Sequence, residues 1–327
     1  MLARWSIRVV WFLLGAAVTA RADVTLLLEE PYGAFGGMTP TGHAAIYLSR
    51  VCAATPLSVR RCNPGEQGVV LSRYHRIDGL DWIAIPLIPY LYAVETADQV
   101  PSSATREEAA SLRDSYRRRH LEEIVPDGSD GSAPPGDWTQ LVGEAYDRSI
   151  YTFGIETTGE QDDQLIRALN SEENRKRFHL LSRNCADFAR QVIDLYYPKA
   201  VHRNLISDLG IMTPKQAAKC LVSYSKKHRD LEFSSFAIGQ VPGTIPRSSP
   251  VRGVLESFVK SKKYAVGLAS LAVLHPAIGV GMAYAWMDGS HFNPRRVAAA
   301  DGTLEPEGLV SELGSNDGAS AGGLPSD

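Results

Sequence analysis

Leu180-Leu181-Ser182-Arg183-Asn184-Cys185-Ala186-Asp187-Phe188-Ala189-Arg190-Gln191-Val192-Ile193 is the stretch that decides the reading of this chain. From Cys185 onward, Phe188, Ala189, Val192 and Ile193 recur at helical spacing, which predicts an amphipathic helix. Asn184 is a good N-cap and would place Cys185 in the first turn, among unpaired backbone N–H groups at the positive end of the helix dipole. Such a site favours the thiolate, the nucleophilic form of cysteine, and its N–H groups suit an oxyanion. A thiol nucleophile also needs a base, usually histidine.

Upstream, the best-placed histidine is His43, which opens the strand candidate His43-Ala44-Ala45-Ile46-Tyr47-Leu48 directly after Thr41-Gly42. Glycine there permits another backbone to come close. His43, Ala45 and Tyr47 share one strand face, and Ala44, Ile46 and Leu48 the other.

Gly42-His43-Ala44-Ala45-Ile46-Tyr47-Leu48 followed much later by Asn184-Cys185-Ala186-Asp187-Phe188 resembles the circularly permuted branch of the NlpC-type papain-like superfamily, which includes lecithin:retinol acyltransferase-like proteins. The resemblance runs from about Val24 to Tyr197, and its specificity lies in those two motifs. It implies an α+β papain-like thiol fold with an antiparallel sheet and a nucleophile-bearing helix. It also implies Cys185 as nucleophile, His43 as base, and a polar residue on the next strand orienting the imidazole. His75 is the expectation for that third position, with Ser72 and Tyr74 as rivals.

Further strands are expected at Asp23 to Glu30, Gly68 to His75, Asp81 to Pro86 and Ser149 to Ile155, with helices at Thr105 to Ile124 and Glu160 to Ser171. Arg4 and Arg8, the apolar run Val9 to Val18 and the small-x-small site Ala20-Arg21-Ala22 predict an export signal or N-terminal anchor at residues 1–22. Outside the cytoplasm a disulfide can persist, and Cys52 and Cys62 in a turn-rich loop are the expected pair. Asn184 is expected to serve the helix cap or the oxyanion, and Cys220 to be an inert helix residue.

Residues 23–230 are read as the thiol domain and 231–250, rich in Ser, Gly and Pro, as a linker. Residues 251–287 are read as an amphipathic and hydrophobic helical extension of membrane type. Val251, Val254, Leu255, Phe258 and Val259 form its stripe, followed by Lys260, Lys262 and Lys263. Ala265 to Met287 then carries no Lys, Arg, Asp or Glu, roughly 34 Å as a helix. Residues 288–327 are read as a disordered acidic tail.

Lys and Arg number 34 against 37 Asp and Glu, so no basic excess points to nucleic acid. No zinc spacing and no His-Glu-x-x-His occurs, so no metal or other cofactor is expected. Gly318-Ala319-Ser320-Ala321-Gly322 matches a serine-hydrolase elbow only as a string, without a strand before it or a helix after it. The expectation is an exported, membrane-associated cysteine hydrolase or acyltransferase acting on an acyl lipid or a cell-wall peptide. The alternative is a non-catalytic membrane-associated binding or scaffold protein on the same fold.

Overall fold

Strand β2 (His43–Leu48) is buried along its whole length, because both faces of the sheet that contains it are covered. The computed structural model describes residues 23–33, 41–75, 77, 79–260, 267, 270, 274–304 and 308. The expected leader at 1–22, parts of the 251–287 extension and nearly all of the acidic tail beyond Leu304 lie outside those residues.

The protein is α+β with a mostly antiparallel sheet. β2 lies between β1 (Asp23–Glu29) and β5 (Val69–Ser72), with β6 (Ile83–Pro86) outside β5. On the other side of β1 follow β7 (Ile150–Glu156), β8 (Phe233–Ile238) and the two-residue β9 (Thr303–Leu304), which alone runs parallel to its neighbour among the described strands. Strands β3 (Val51–Thr55) and β4 (Ser58–Arg61) form a separate hairpin. The Cys52–Cys62 disulfide closes this hairpin, worth about 2–3 kcal/mol by loop entropy.

Alternation along the strands divides the core into two layers. Leu26, Leu28, Ala44 and Ile46 face helices α4 (Gly159–Ser171), α5 (Cys185–Tyr196) and α6 (Pro214–Lys227). Leu27, Ala45, Tyr47 and Val70 face α1 (Leu87–Tyr92), α2 (Arg106–His120) and α3 (Glu144–Asp147). With no face left to water, β1 and β2 read as continuous apolar runs rather than as alternating patterns.

Two expected boundaries are corrected. The segment read as a linker supplies β8, a full partner of β7 from Ile150↔Ile238 to Ile155↔Phe233. Its serines disguised it, yet Ser235 is buried, and Thr152 Oγ1 bonds both the N–H and the C=O of Phe236. The segment read as a disordered tail is folded as far as Leu304. Helix α9 (Pro294–Asp301) packs on β7 and β8 and puts Ala298 fully into the core, while Phe292 tilts against Phe153 at 6.3 Å.

Between them, α7 (Val254–Val259) is tied down by the buried Lys215–Glu256 pair at 2.7 Å. Helix α8 (Pro276–His291) follows. Among the described residues no helix is long and apolar enough to cross a membrane.

Candidate functional site around Cys185

Helix α5 begins where the sequence places it. The Asn184 side chain accepts the N–H of Asp187, and Asp187 Oδ2 accepts the N–H of Asn184, a reciprocal capping box. The remaining Asn184 donors are used too: Nδ2 bonds the carbonyls of Leu180 and Met212. Asn184 is therefore a cap, as expected, and a knot between two loops. Ala186, Ala189, Val192, Ile193 and Tyr196 bury the inner face of the helix.

Cys185 is half-buried at the first position of α5. The ladder between β2 and β5 ends at Ala45↔Ser72, and the Cys185 sulfur accepts the N–H of the next β2 residue, Ala44. Burial pushes the thiol up to about 11, against the opposing pull of the Ala44 and Ala186 N–H groups and of the Arg73 charge. In this environment the thiol is protonated at neutral pH.

His43 lies one residue from that N–H, and Gly42 makes its position possible. Gly42 has φ +72°, and a Cβ there would sit 2.1 Å from the Glu29 carbonyl oxygen, so only glycine fits. The imidazole stacks on Tyr74 with ring centroids 4.3 Å apart and planes 6° from parallel. Burial, helped by the charge of Arg148, holds its pKa well below the ordinary histidine value, so the ring is neutral. Its Nε2 is buried without a hydrogen-bond partner, so the Cys185 sulfur is not bonded to it.

The third position is corrected. His75 is half exposed, 3.8 Å from Asp137 and edge-on to Phe178, and it does not join His43. Neighbouring side chains of an extended segment point apart, so if Tyr74 faces the imidazole, His75 faces water. Of the rivals, Tyr74 touches the ring, while Ser72 is buried with its hydroxyl unpaired.

Behind Tyr74 lies a buried polar cluster that the motif reading missed. Tyr74 Oη contacts Tyr90 Oη at 3.2 Å, and Tyr90 donates to Glu29. Arg148 sits between Glu29 (3.1 Å) and Glu144 (2.6 Å) and lies over the Tyr32 ring. Burial raises both carboxyls above their ordinary range despite Arg148, the cation they share, with Arg113 adding a weaker pull on Glu144. Glu144-x-x-x-Arg148 is a legible i,i+4 ion pair; its burial is not legible.

Arg73 is the second missed residue. Fully buried, it holds Asp81 at 2.8 Å, donates to the Asn184 carbonyl at 3.3 Å and lies over the Phe188 ring. It fastens the end of β5 to the start of α5 and puts a positive charge beside the thiol. Cys220 is buried in α6, where its sulfur accepts from Gln216 Nε2 at 3.2 Å and lies 3.7 Å from His202 Nδ1.

Among the described residues, the metal-ligand types that cluster closely are Cys52, Cys62 and Glu66, and the two cysteines are joined to each other. Compared with protein-family models, with curated proteins and with solved structures, the chain matches none.

Proposed function

We propose that the chain is a cysteine-dependent hydrolase or acyltransferase built on a permuted papain-like thiol fold, with Cys185 as nucleophile and His43 as base. The observation that carries this reading is local. A half-buried thiol on a capped helix start accepts the N–H of Ala44, the residue that follows His43, whose neutral, buried imidazole leaves Nε2 without a hydrogen-bond partner. Buried polar atoms are normally satisfied, and an unpaired imidazole nitrogen can take a thiol's proton once the two come within hydrogen-bond reach.

In this mechanism His43 removes the Cys185 proton as sulfur attacks the carbonyl carbon of an amide or ester. The proton then passes to the leaving amine or alcohol as the C–N or C–O bond breaks, leaving a thioacyl enzyme. Water or an acceptor hydroxyl attacks that thioester, gives up its proton to His43 and restores the thiol. Arg73 and the first N–H groups of α5 supply positive character near the developing oxyanion.

A second reading has its own support. The raised thiol and the imidazole stacked on Tyr74 favour a non-catalytic binding or scaffold protein on this fold. Incubation with a p-nitrophenyl acyl ester separates the two. The catalytic reading expects a hydroxylamine-labile acyl adduct on the Cys185 peptide, lost in Cys185→Ser and at least tenfold slower to form in His43→Gln. A folded protein that forms no such adduct is the scaffold.

A further inference from the structure

Two loops meet at the start of α5 and carry side chains that a water-facing surface does not need. The first contains Leu180 and Leu181, and the second contains Leu205, Ile206 and Leu209; all five are between 52% and 78% exposed. Arg203 locks the loops side by side: its guanidinium bonds the Gly210 carbonyl at 3.1 Å, the Ser182 carbonyl at 3.3 Å and the Asp187 carboxylate. Asn184 adds a second bridge through the carbonyls of Leu180 and Met212. Leu209 is held at φ +53°, a conformation that L side chains other than Asn and Asp seldom adopt. Strain of this kind persists only where the surrounding structure enforces it, and here it is retained by an exposed leucine.

The surface extends further. Ser207 donates to Asp288 at 2.8 Å, which brings the end of α8 alongside the second loop. Trp286 and Met287, just before Asp288, are each about half exposed, and Lys260 lies 5.3 Å over the Trp286 ring. Helix α8 is apolar on all sides ahead of Asp288 yet largely uncovered, and a helix of that kind belongs in a core or in lipid.

Charge identifies the occupant. Beside Leu180 and Leu181 an open cleft of about 560 Å³ is lined by Arg177, Phe178, His179, Ser182, Arg183 and Gln191, with no carboxylate in its lining. Arg183 also approaches Asp81 at 3.6 Å, whereas Arg177 projects into solvent. Exposed leucines next to arginines, with an exposed tryptophan under a lysine, match the acyl–headgroup boundary of an anionic bilayer.

We infer that the loops at 180–183 and 204–210, with the end of α8, form a surface that docks in the plane of an anionic lipid bilayer, with the α5 N-terminus and Cys185 beside the headgroups. The surface stands whether or not Cys185 is catalytic.

Hydrogen exchange on the full chain, with vesicles of phosphatidylcholine alone or with about one-third phosphatidylglycerol, tests the inference. Slowed exchange is expected at 180–183 and 204–210 with the anionic vesicles. The double variant Leu205→Ser/Ile206→Ser changes only exposed side chains, so it keeps the fold; its protection at both loops should fall at least tenfold. Arg177→Glu should weaken binding about threefold and flatten its salt dependence. Cys185→Ser should bind like the parent, which keeps this result separate from the acylation test. Unprotected loops in a protein that still sediments with vesicles overturn the inference. So does equal protection produced by raising protein concentration without lipid, which would make the occupant a second copy.

Discussion

The two faces of the central sheet are built by different rules. The face that carries Cys185 is packed by α4, α5, α6 and α9, closed by Phe292 and Ala298 from near the end of the described chain, and keeps its buried charges in separate pairs such as Lys215–Glu256. The face that carries His43 buries Glu29, Glu144 and Arg148 with Tyr74 and Tyr90 inside an otherwise apolar shell. Apolar packing is gained piece by piece and tolerates substitution, whereas a buried ionic cluster fails when one member is removed. The proposed thiol and base therefore come from opposite layers of the sheet, linked through β2, where His43 and Ala44 are consecutive.

The most damaging challenge to the Cys185 face is truncation after Ser249. Sequence composition suggests that such a chain keeps its fold. The structure predicts that it does not, because Val251, Phe292 and Ala298 leave the core and Lys215 loses Glu256. Soluble expression with cooperative unfolding of that fragment would show that the C-terminal elements are accessory.

On the His43 face, Arg148→Ala should cost about 3–5 kcal/mol in urea unfolding, since two buried carboxyls lose their cation. The loss should deepen as pH rises, because both carboxyls must then stay protonated. A cost below about 1 kcal/mol would mean that water already reaches the cluster.

Asn184→Ala should cost about 1–2 kcal/mol through the cap. Asn184→Ser keeps an acceptor oxygen but loses both Nδ2 bonds, so the difference between the two variants isolates the loop knot from the cap. Equal losses would assign the whole effect to the knot.

The smallest effect concerns pH. His43 has a folded pKa below its unfolded value, so its contribution is fully present above about pH 6.5 and is lost as pH falls. The slope is about 1.4 kcal/mol per pH unit down to the folded pKa. Glu29 and Glu144 act with the opposite sign: their raised pKa values give stability that is present below about 4.5 and lost as pH rises. The histidine slope therefore shows only as the difference between the parent and His43→Gln. A zero difference between pH 5 and 6.5 would place the ring in solvent.

Several features were legible because their signals are local. The Asn184 cap, the apolar stripe of α5, the glycine before His43 and the Cys52–Cys62 pair each depend on residues within a turn or a loop. Strand β8 and helix α9 were not legible. Phe233-Ser234-Ser235-Phe236-Ala237-Ile238 has the composition of a connector, and it becomes a strand only because β7 offers a free edge. The third partner of His43 depended on how the chain leaves β5, and that placed Tyr74 rather than His75 against the ring.

The sequence by itself determined the α+β alternation, the capped helix start bearing Cys185 and the glycine that brings His43 close to Glu29, since hydrophobic period and backbone sterics act over a few residues. Only the tertiary structure decided which layer each side chain enters and how far burial moves its proton. It alone also brought together the leucines of two loops about twenty-five residues apart, through Arg203 and Asn184. Those outcomes depend on desolvation and on long-range hydrogen bonds, which are sums over atoms brought together by the whole fold.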